Sequence, residues 1–289
     1  MSIKSILAPV RGDGKGEEVL SLAIAIGRIF NAHIDVVHVH AKPQDMIPFG
    51  VPVPRAFKKT ILEAADNVAK QEEGKLKQLF ADYCGTQHVE VLSDDAADAP
   101  LDKLSLSWRE EAGKQAVVLR RLGRLADLIV IAKPDRQAAL GVNSLHSALF
   151  DVRKLTAIAP PHGVEETGRR IAIAWNGGAE IGRTVTWALP LLAAAEQVTI
   201  LTTPLEREHH LSPDALVRYL HLHGIAAGTE YFKKGPRDIG APLLRAAHDV
   251  EADMIVMGAF GSEKRRELVL GGVTQYVIEH ADLPLLMAH

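Results

Sequence analysis

At 289 residues, 47% hydrophobic and 24% charged, the chain has the make-up of globular protein and the length for one large domain or two of about 140 residues. A formal net charge of −3 gives no overall attraction to nucleic acid or to an anionic membrane, and no local basic patch stands out to reverse that. A single cysteine, Cys84, excludes an intramolecular disulfide framework and fits a reducing compartment, and no stretch of about 18 apolar residues marks a membrane span. The opening MSIKSILAPVRGDGKG has an apolar run too short for a secretion signal, so the expectation is a soluble cytoplasmic protein that binds neither nucleic acid nor membrane.

In chain order, SILAPV is a short apolar run that ends in the glycine turn RGDGKG. Val19, Leu22, Ala23, Ile26, Ile29 and Phe30 then recur at helical spacing. HIDVVHVH follows as a second strand. Residues 55–83 place Ile61, Ala65, Val68, Leu76, Leu79 and Tyr83 on a narrow apolar stripe, which predicts a long helix that packs on its own half, or else reaches toward the other half or a second chain. VEVLSDDAADAP reads as a loop and LSLSWRE as a strand. ADLIVIA (126–132) and KLTAIAP complete the first half.

The order then repeats. RIAIAWNGGAE is again strand and turn, and Ile181, Val185, Ala188, Leu189, Leu192 and Ala195 form a helical stripe. QVTILTT is the second strand, ADMIVMG (252–258) matches ADLIVIA, and LPLLMAH closes the half as KLTAIAP closes the first. PPHGVEETGRR has no apolar period and marks a linker at about 160–168, dividing the chain into residues 1–160 and 169–289. Strands that are apolar throughout and alternate with helices predict parallel strands covered on both faces. Each half is therefore expected to be a doubly wound, Rossmann-like sheet of five strands, with any ligand outside the carboxyl ends of the strands where the winding reverses.

The run ADMIVMGAFG…LGGVTQYVIEHADLPLLMAH, with Gly258, Gly261 and Gly271 spaced Gly-two-Gly-nine-Gly, resembles the C-terminal part of a universal stress protein domain. IAIAWNGGAEIGRTVTWALPLL resembles that family's first strand and helix. The first half is similar more loosely, through SILAPV, VVHVH, ADLIVIAKP and ALFDVRKLTAIAP, so the whole chain resembles a tandem universal stress protein.

The resemblance implies an adenine nucleotide, ATP or AMP, at Asn176, Gly177, Gly258, Gly261, Gly271, Gly272, Val273 and Thr274. Glycines let backbone N–H groups approach a phosphate, and a helix start offers further donors. Gly272 stands where the family usually has Ser or Thr, with Thr274 near enough to cap the helix or take part of that role. Asn176 replaces an acidic residue and is a poor Mg²⁺ ligand, because it carries no charge. In the first half Arg11 takes the acidic position, the glycine pair is missing and Pro134 removes a donor N–H, so no nucleotide site is expected there. The resemblance also implies internal pairing of the two halves through their last strands. It leaves open a homodimer and a regulatory protein partner.

Other features carry two readings. Lys264, Arg265 and Arg266 either neutralise a triphosphate or are simply solvated. The glycines likewise serve phosphate contact or only turn the chain. His38 and His40 share one face of a strand, but no further ligand is apparent, so they read as core or strand-end histidines and no metal is expected. His209, His210, His221 and His223 read as solvated, and Asp94 and Asp95 as loop carboxylates. No nucleophile elbow, P-loop, H-E-x-x-H or paired-cysteine pattern occurs, which argues against an enzyme. Two functions remain: a stress-response protein regulated by nucleotide, or a nucleotide-independent scaffold, for which Trp175 would fill the pocket.

Overall fold

The computed structural model describes residues 2–40, 55–93, 99–135, 140–204, 210–235, 239–259 and 272–289; within the helix at 55–87, side chains are described at 67 and from 70 onward. The first half runs β1 (Ser5–Val10), α1 (Gly16–Phe30), β2 (His33–His40), α2 (Arg55–Gln87), β3 (Glu90–Leu92), β4 (Ser105–Ala112), α3 (Gln115–Leu122), β5 (Leu128–Ala132), α4 (Val142–His146), a π-helical turn (Ser147–Val152) and β6 (Leu155–Ala159). The second half runs β7 (Arg170–Ala174), α5 (Ala179–Ala194), β8 (Gln197–Thr202), α6 (Pro213–Leu222), β9 (Ala227–Tyr231), α7 (Gly240–Asp249), β10 (Met254–Gly258), α8 (Gly272–His280) and β11 (Leu285–Ala288).

Local chemistry explains these elements. α1 buries the stripe read from its sequence at Val19, Leu22, Ala23 and Ile26, and ends where Asn31 adopts a left-handed conformation at φ 48°. Ser212 caps α6 by accepting from the Ala215 N–H at 3.3 Å, with Pro213 at the first helical position. Leu76, Phe80 and Cys84, four residues apart, are the buried face of α2, which packs on α1 and β2 of its own half. Burial there pushes the Cys84 thiol up to about 11, which keeps it protonated and inert.

The halves pair through their last strands, as the resemblance implied, and that pairing merges the two expected five-stranded sheets into one. One sheet of eleven strands runs in the order β3-β4-β2-β1-β5-β6-β11-β10-β7-β8-β9. All pairs within a half are parallel, and the halves join where β6 and β11 run antiparallel, with Leu285 opposite Ile158, Leu286 opposite Ala157 and Met287 opposite Thr156. The physical reason lies in those closing runs. Both strands are wholly buried, so an unpaired edge on either would leave backbone donors and acceptors unsatisfied inside the protein. A second correction concerns VEVLSDDAADAP, because its Glu90–Leu92 pairs with β4 as an additional edge strand and gives the first half six strands. The rest of that segment, including Asp94 and Asp95, lies outside the described residues.

Contacts beyond the ladder tie the halves together. The Lys133 ammonium, just past β5, donates to the Ala281 carbonyl at 2.8 Å, just past α8. His289 Nδ1 bonds the Ala259 carbonyl at 3.0 Å, and its ring lies 4.5 Å from that of Phe150. The connecting loop is held at both ends. Val164 N–H donates to Ser21 Oγ of α1 at 3.1 Å, while the Asp253 carboxylate accepts from Gly168 N–H and Arg169 N–H at 2.9 Å each, and its carbonyl accepts from Thr167 Oγ1. Asp253→Ala removes both carboxylate contacts and is expected to cost about 1–3 kcal/mol in urea denaturation, with Asp253→Asn losing less because its amide oxygen still accepts.

Candidate functional site

In the second half the chain winds from β7 outward through β8 to β9 on one side, while β10 and β11 lie on the other. The crevice beyond the carboxyl ends of β7 and β10 is therefore a topological switch point, the place where doubly wound sheets bind ligands. Asn176 and Gly177 lie just past β7, Gly258 ends β10, and Gly272, Val273 and Thr274 open α8. Gly261 and Gly271, with Lys264, Arg265 and Arg266, lie outside the described residues.

Each described residue has a distinct local reason. Asn176 is exposed, and its side-chain oxygen accepts from the Gly178 N–H at 3.0 Å, which closes the turn from β7 into α5. Gly177 has φ +71°, and a Cβ there would lie 2.5 Å from the Leu211 carbonyl oxygen. Gly258 is needed for packing, since a Cβ would sit 2.7 Å from the Ile181 nitrogen in the first turn of α5. Gly272 is exposed, and a Cβ on it meets no atom of the described residues within 4 Å. Thr274 is buried within the first turn, and Val273 is half-buried against the apolar layer behind the sheet.

Three residues from the loop after β8 and the end of β7 also shape this region. Trp175 is only 6% exposed, and its indole N–H donates to the Leu211 carbonyl at 3.0 Å. Leu211 N–H donates in turn to the Gly177 carbonyl at 3.2 Å, and His210 Nδ1 bonds the Asn176 carbonyl. His210 thus belongs to this turn. Sequence reading singled out Trp175 but gave no signal for Leu211, because its part is played by backbone atoms of an irregular loop. His221 and His223 are both exposed, as expected, and His209 lies outside the described residues.

The corresponding crevice of the first half, between β1 and β5, is filled differently. Arg11 follows β1 and pairs with Asp13 at 2.6 Å, with 17% and 9% of their side chains exposed. Its guanidinium nitrogens lie 2.9 and 3.0 Å from where a Cβ on Gly141 would be, beside the start of α4. An arginine thus lies against Gly141, whereas no described residue lies within 4 Å of a Cβ on Gly272.

Residues 168–289 match the universal stress protein family. The match leaves the first half outside it. No curated protein sequence matches the chain. Among solved structures, the chain is similar to a universal stress protein from Archaeoglobus fulgidus DSM 4304, with a TM-score of 0.64 and 15% identity over 99% of this chain and 96% of that one. It is also similar to a protein of unknown function from Pseudomonas aeruginosa PAO1, with a TM-score of 0.54 and 13% identity over 99% and 92% of the two chains. At such identities the likeness is one of fold: a mostly parallel sheet flanked by helices, shared over the full length. No helix among the described residues is long and apolar enough to cross a membrane.

The two glycine environments differ enough to be separated by experiment. Gly177→Ala forces a side chain into the left-handed region and against backbone, and is expected to lower stability by more than about 1 kcal/mol. Gly272→Ala is expected to be neutral, or stabilising by up to about 0.5 kcal/mol, in the same thermal or urea unfolding assay.

Proposed function

We propose that the protein is a stress-response protein of the universal stress type, a tandem of two such domains in one chain, acting in the cytoplasm by regulated binding. Its second half takes an adenine nucleotide, ATP or AMP, in the crevice at the ends of β7 and β10. The observation that carries this reading is the open, exposed start of α8 at Gly272, set at the switch point of a half whose sequence matches the family. A helix start offers unpaired N–H donors and the positive end of the helix dipole, which suit a phosphate. Gly258 brings the first turn of α5 onto the end of β10 in the same crevice. Asn176 supplies an amide for ribose or base. With uncharged Asn176 in place of an acidic residue at the end of β7, a poor ligand for Mg²⁺, binding without hydrolysis is the expected chemistry. Occupancy then favours one conformation of the segment between β10 and α8, and so the surface offered to a partner, to the extent that nucleotide binds the two states differently.

Trp175 supports the second reading, a scaffold of the same family that needs no nucleotide. Its buried indole, tied to Leu211, closes part of the strand ends.

Calorimetric titration of nucleotide-stripped protein with ATP, AMP and GTP, with and without Mg²⁺, separates the two. The nucleotide reading expects one site per chain, tighter in Asn176→Asp with Mg²⁺ and in Gly272→Ser, and at least tenfold weaker in Gly272→Asp. Aspartate is well tolerated in the first turn of a helix, so that loss would reflect repulsion of phosphate and not unfolding. Absence of heat and of thermal shift at millimolar nucleotide, in the wild type and in both strengthening variants, would leave the scaffold.

A further inference from the structure

The first half carries a cluster that the nucleotide reading does not use. His38 and His40 stand two residues apart near the carboxyl end of β2, so both side chains project from the same face of the sheet. The parallel register of β2 with β4 sets Glu110 directly beside His38. One donor atom from each of the three lies within 4.8 Å of the other two. Glu110 Oε2 is 3.0 Å from His38 Nδ1 and 4.0 Å from His40 Nδ1. The second distance is too long for a hydrogen bond, and His40 Nδ1 is buried with no hydrogen-bond partner among the described residues. A buried ring nitrogen aimed at a carboxylate across 4 Å is costly as it stands, and becomes satisfied when an ion bridges the two.

The surroundings suit a ligand set. The second oxygen of the carboxylate, Oε1, accepts from the indole N–H of Trp108 at 2.5 Å, which fixes the group and turns Oε2 toward the histidines. Trp108 is itself held, its ring stacked at 6.2 Å on that of His38 and tilted at 5.1 Å against Phe80 of α2. Carboxylate ligands held by an outer donor in this way are the usual partners of metal-binding histidines. His38 is 3% exposed at its side chain, whereas His40 and Glu110 are 30% and 25% exposed, so the cluster has a buried floor and a side open to solvent.

We propose that His38, His40 and Glu110 bind one divalent first-row transition ion, with zinc as the probe. Two imidazoles and one carboxylate provide three ligands and leave the fourth position of a tetrahedral ion to water or a small anion. Zinc–nitrogen and zinc–oxygen bonds of about 2.0–2.2 Å place tetrahedral ligands about 3.3–3.6 Å apart, so closing the cluster requires side-chain movements on the order of 1 Å. The composition favours the borderline ions over magnesium or calcium, which prefer all-oxygen sites. The site is peculiar to the first half. Aligned through the registers of β1 with β2 and β7 with β8, Thr202 and Pro204 take the places of His38 and His40, and neither can ligate a transition ion in this way.

The test is zinc titration of chelator-treated, buffer-exchanged full chain by calorimetry, with cobalt(II) as a spectroscopic substitute. The expected result is one zinc per chain, a zinc-dependent rise in Tm, and the visible band of four-coordinate cobalt. His40→Ala and Glu110→Gln should each weaken zinc at least tenfold and abolish the cobalt band, while their metal-free Tm stays near that of the wild type. Trp108→Phe keeps the ring and removes the donor, and should weaken zinc about tenfold. Less than one zinc per chain in the wild type would overturn the proposal. So would zinc affinity unchanged by His40→Ala and Glu110→Gln, which would place the metal on other histidines.

Discussion

The antiparallel ladder between β6 and β11 is the constraint on which the rest of the structure depends. Within each half every strand runs parallel to its neighbours, and such sheets are stable only when both faces are covered and the inner edge is closed. β6 and β11 are buried along their whole length, and neither half offers another strand to cover its outer edge. Pairing them satisfies both edges at once. It also relates the halves by a rough two-fold axis, so the carboxyl ends of β5 and β10 come within reach of the opposite half. Lys133 bonding the Ala281 carbonyl and the His289 ring tilted against Phe150 are consequences of that placement.

Much of this was legible in the sequence because it follows from period and order. The apolar runs, the stripes of α1 and α5, the matching ADLIVIA and ADMIVMG segments and the closing runs all report local burial, which a single chain displays directly. That the two closing runs pair was implied by the family resemblance and not by the runs themselves. Whether two edges meet is a tertiary question, and the closing strands read the same in either case. β3 was missed for another reason: Glu90 and Val91 are exposed on an edge strand, which has no apolar signature to show. α2 packs on its own half, one of the two readings, but the buried ridge runs through Leu76, Phe80 and Cys84, whereas Leu79 and Tyr83 of the stripe read from sequence are half-buried and the side chains of Ile61, Ala65 and Val68 lie outside the described residues.

The candidate sites divide along the same line. Gly258 and Gly177 stood out from the family spacing and the turn, but their described surroundings give each a packing reason that holds without any ligand. Among the described site glycines only Gly272, at a helix start, meets no neighbour, and it is there that the reading by phosphate chemistry rests. Leu211 was invisible because its carbonyl, not its side chain, meets Trp175. His38 and His40 were visible as a pair, yet their third partner lies 72 residues away from His38 and is supplied by strand register alone. Alternation along LSLSWREE does place Glu110 on the face of Leu106 and Trp108. What it withholds is which strand lies beside it.

Duplication explains why the two halves bear different chemistry at equivalent places. Once β6 and β11 join the sheet, each half needs its own strands and helices for packing but not its own crevice, so residues beyond the strand ends are free to diverge. In the first half the Arg11–Asp13 pair lies at the crevice of β1 and β5, at the position where the second half has an exposed Asn176. Chemistry has moved one strand outward instead, to the end of β2, where His38 and His40 meet Glu110 of β4. The equivalent outward position of the second half has Thr202 bonded to the Trp175 carbonyl, a polar contact that serves the fold. Each half therefore presents a single candidate site among its described residues, at a different strand of the same sheet. Both places stand on one continuous sheet, with the Lys133 contact across the halves and the linker held by Ser21 on one side and Asp253 on the other.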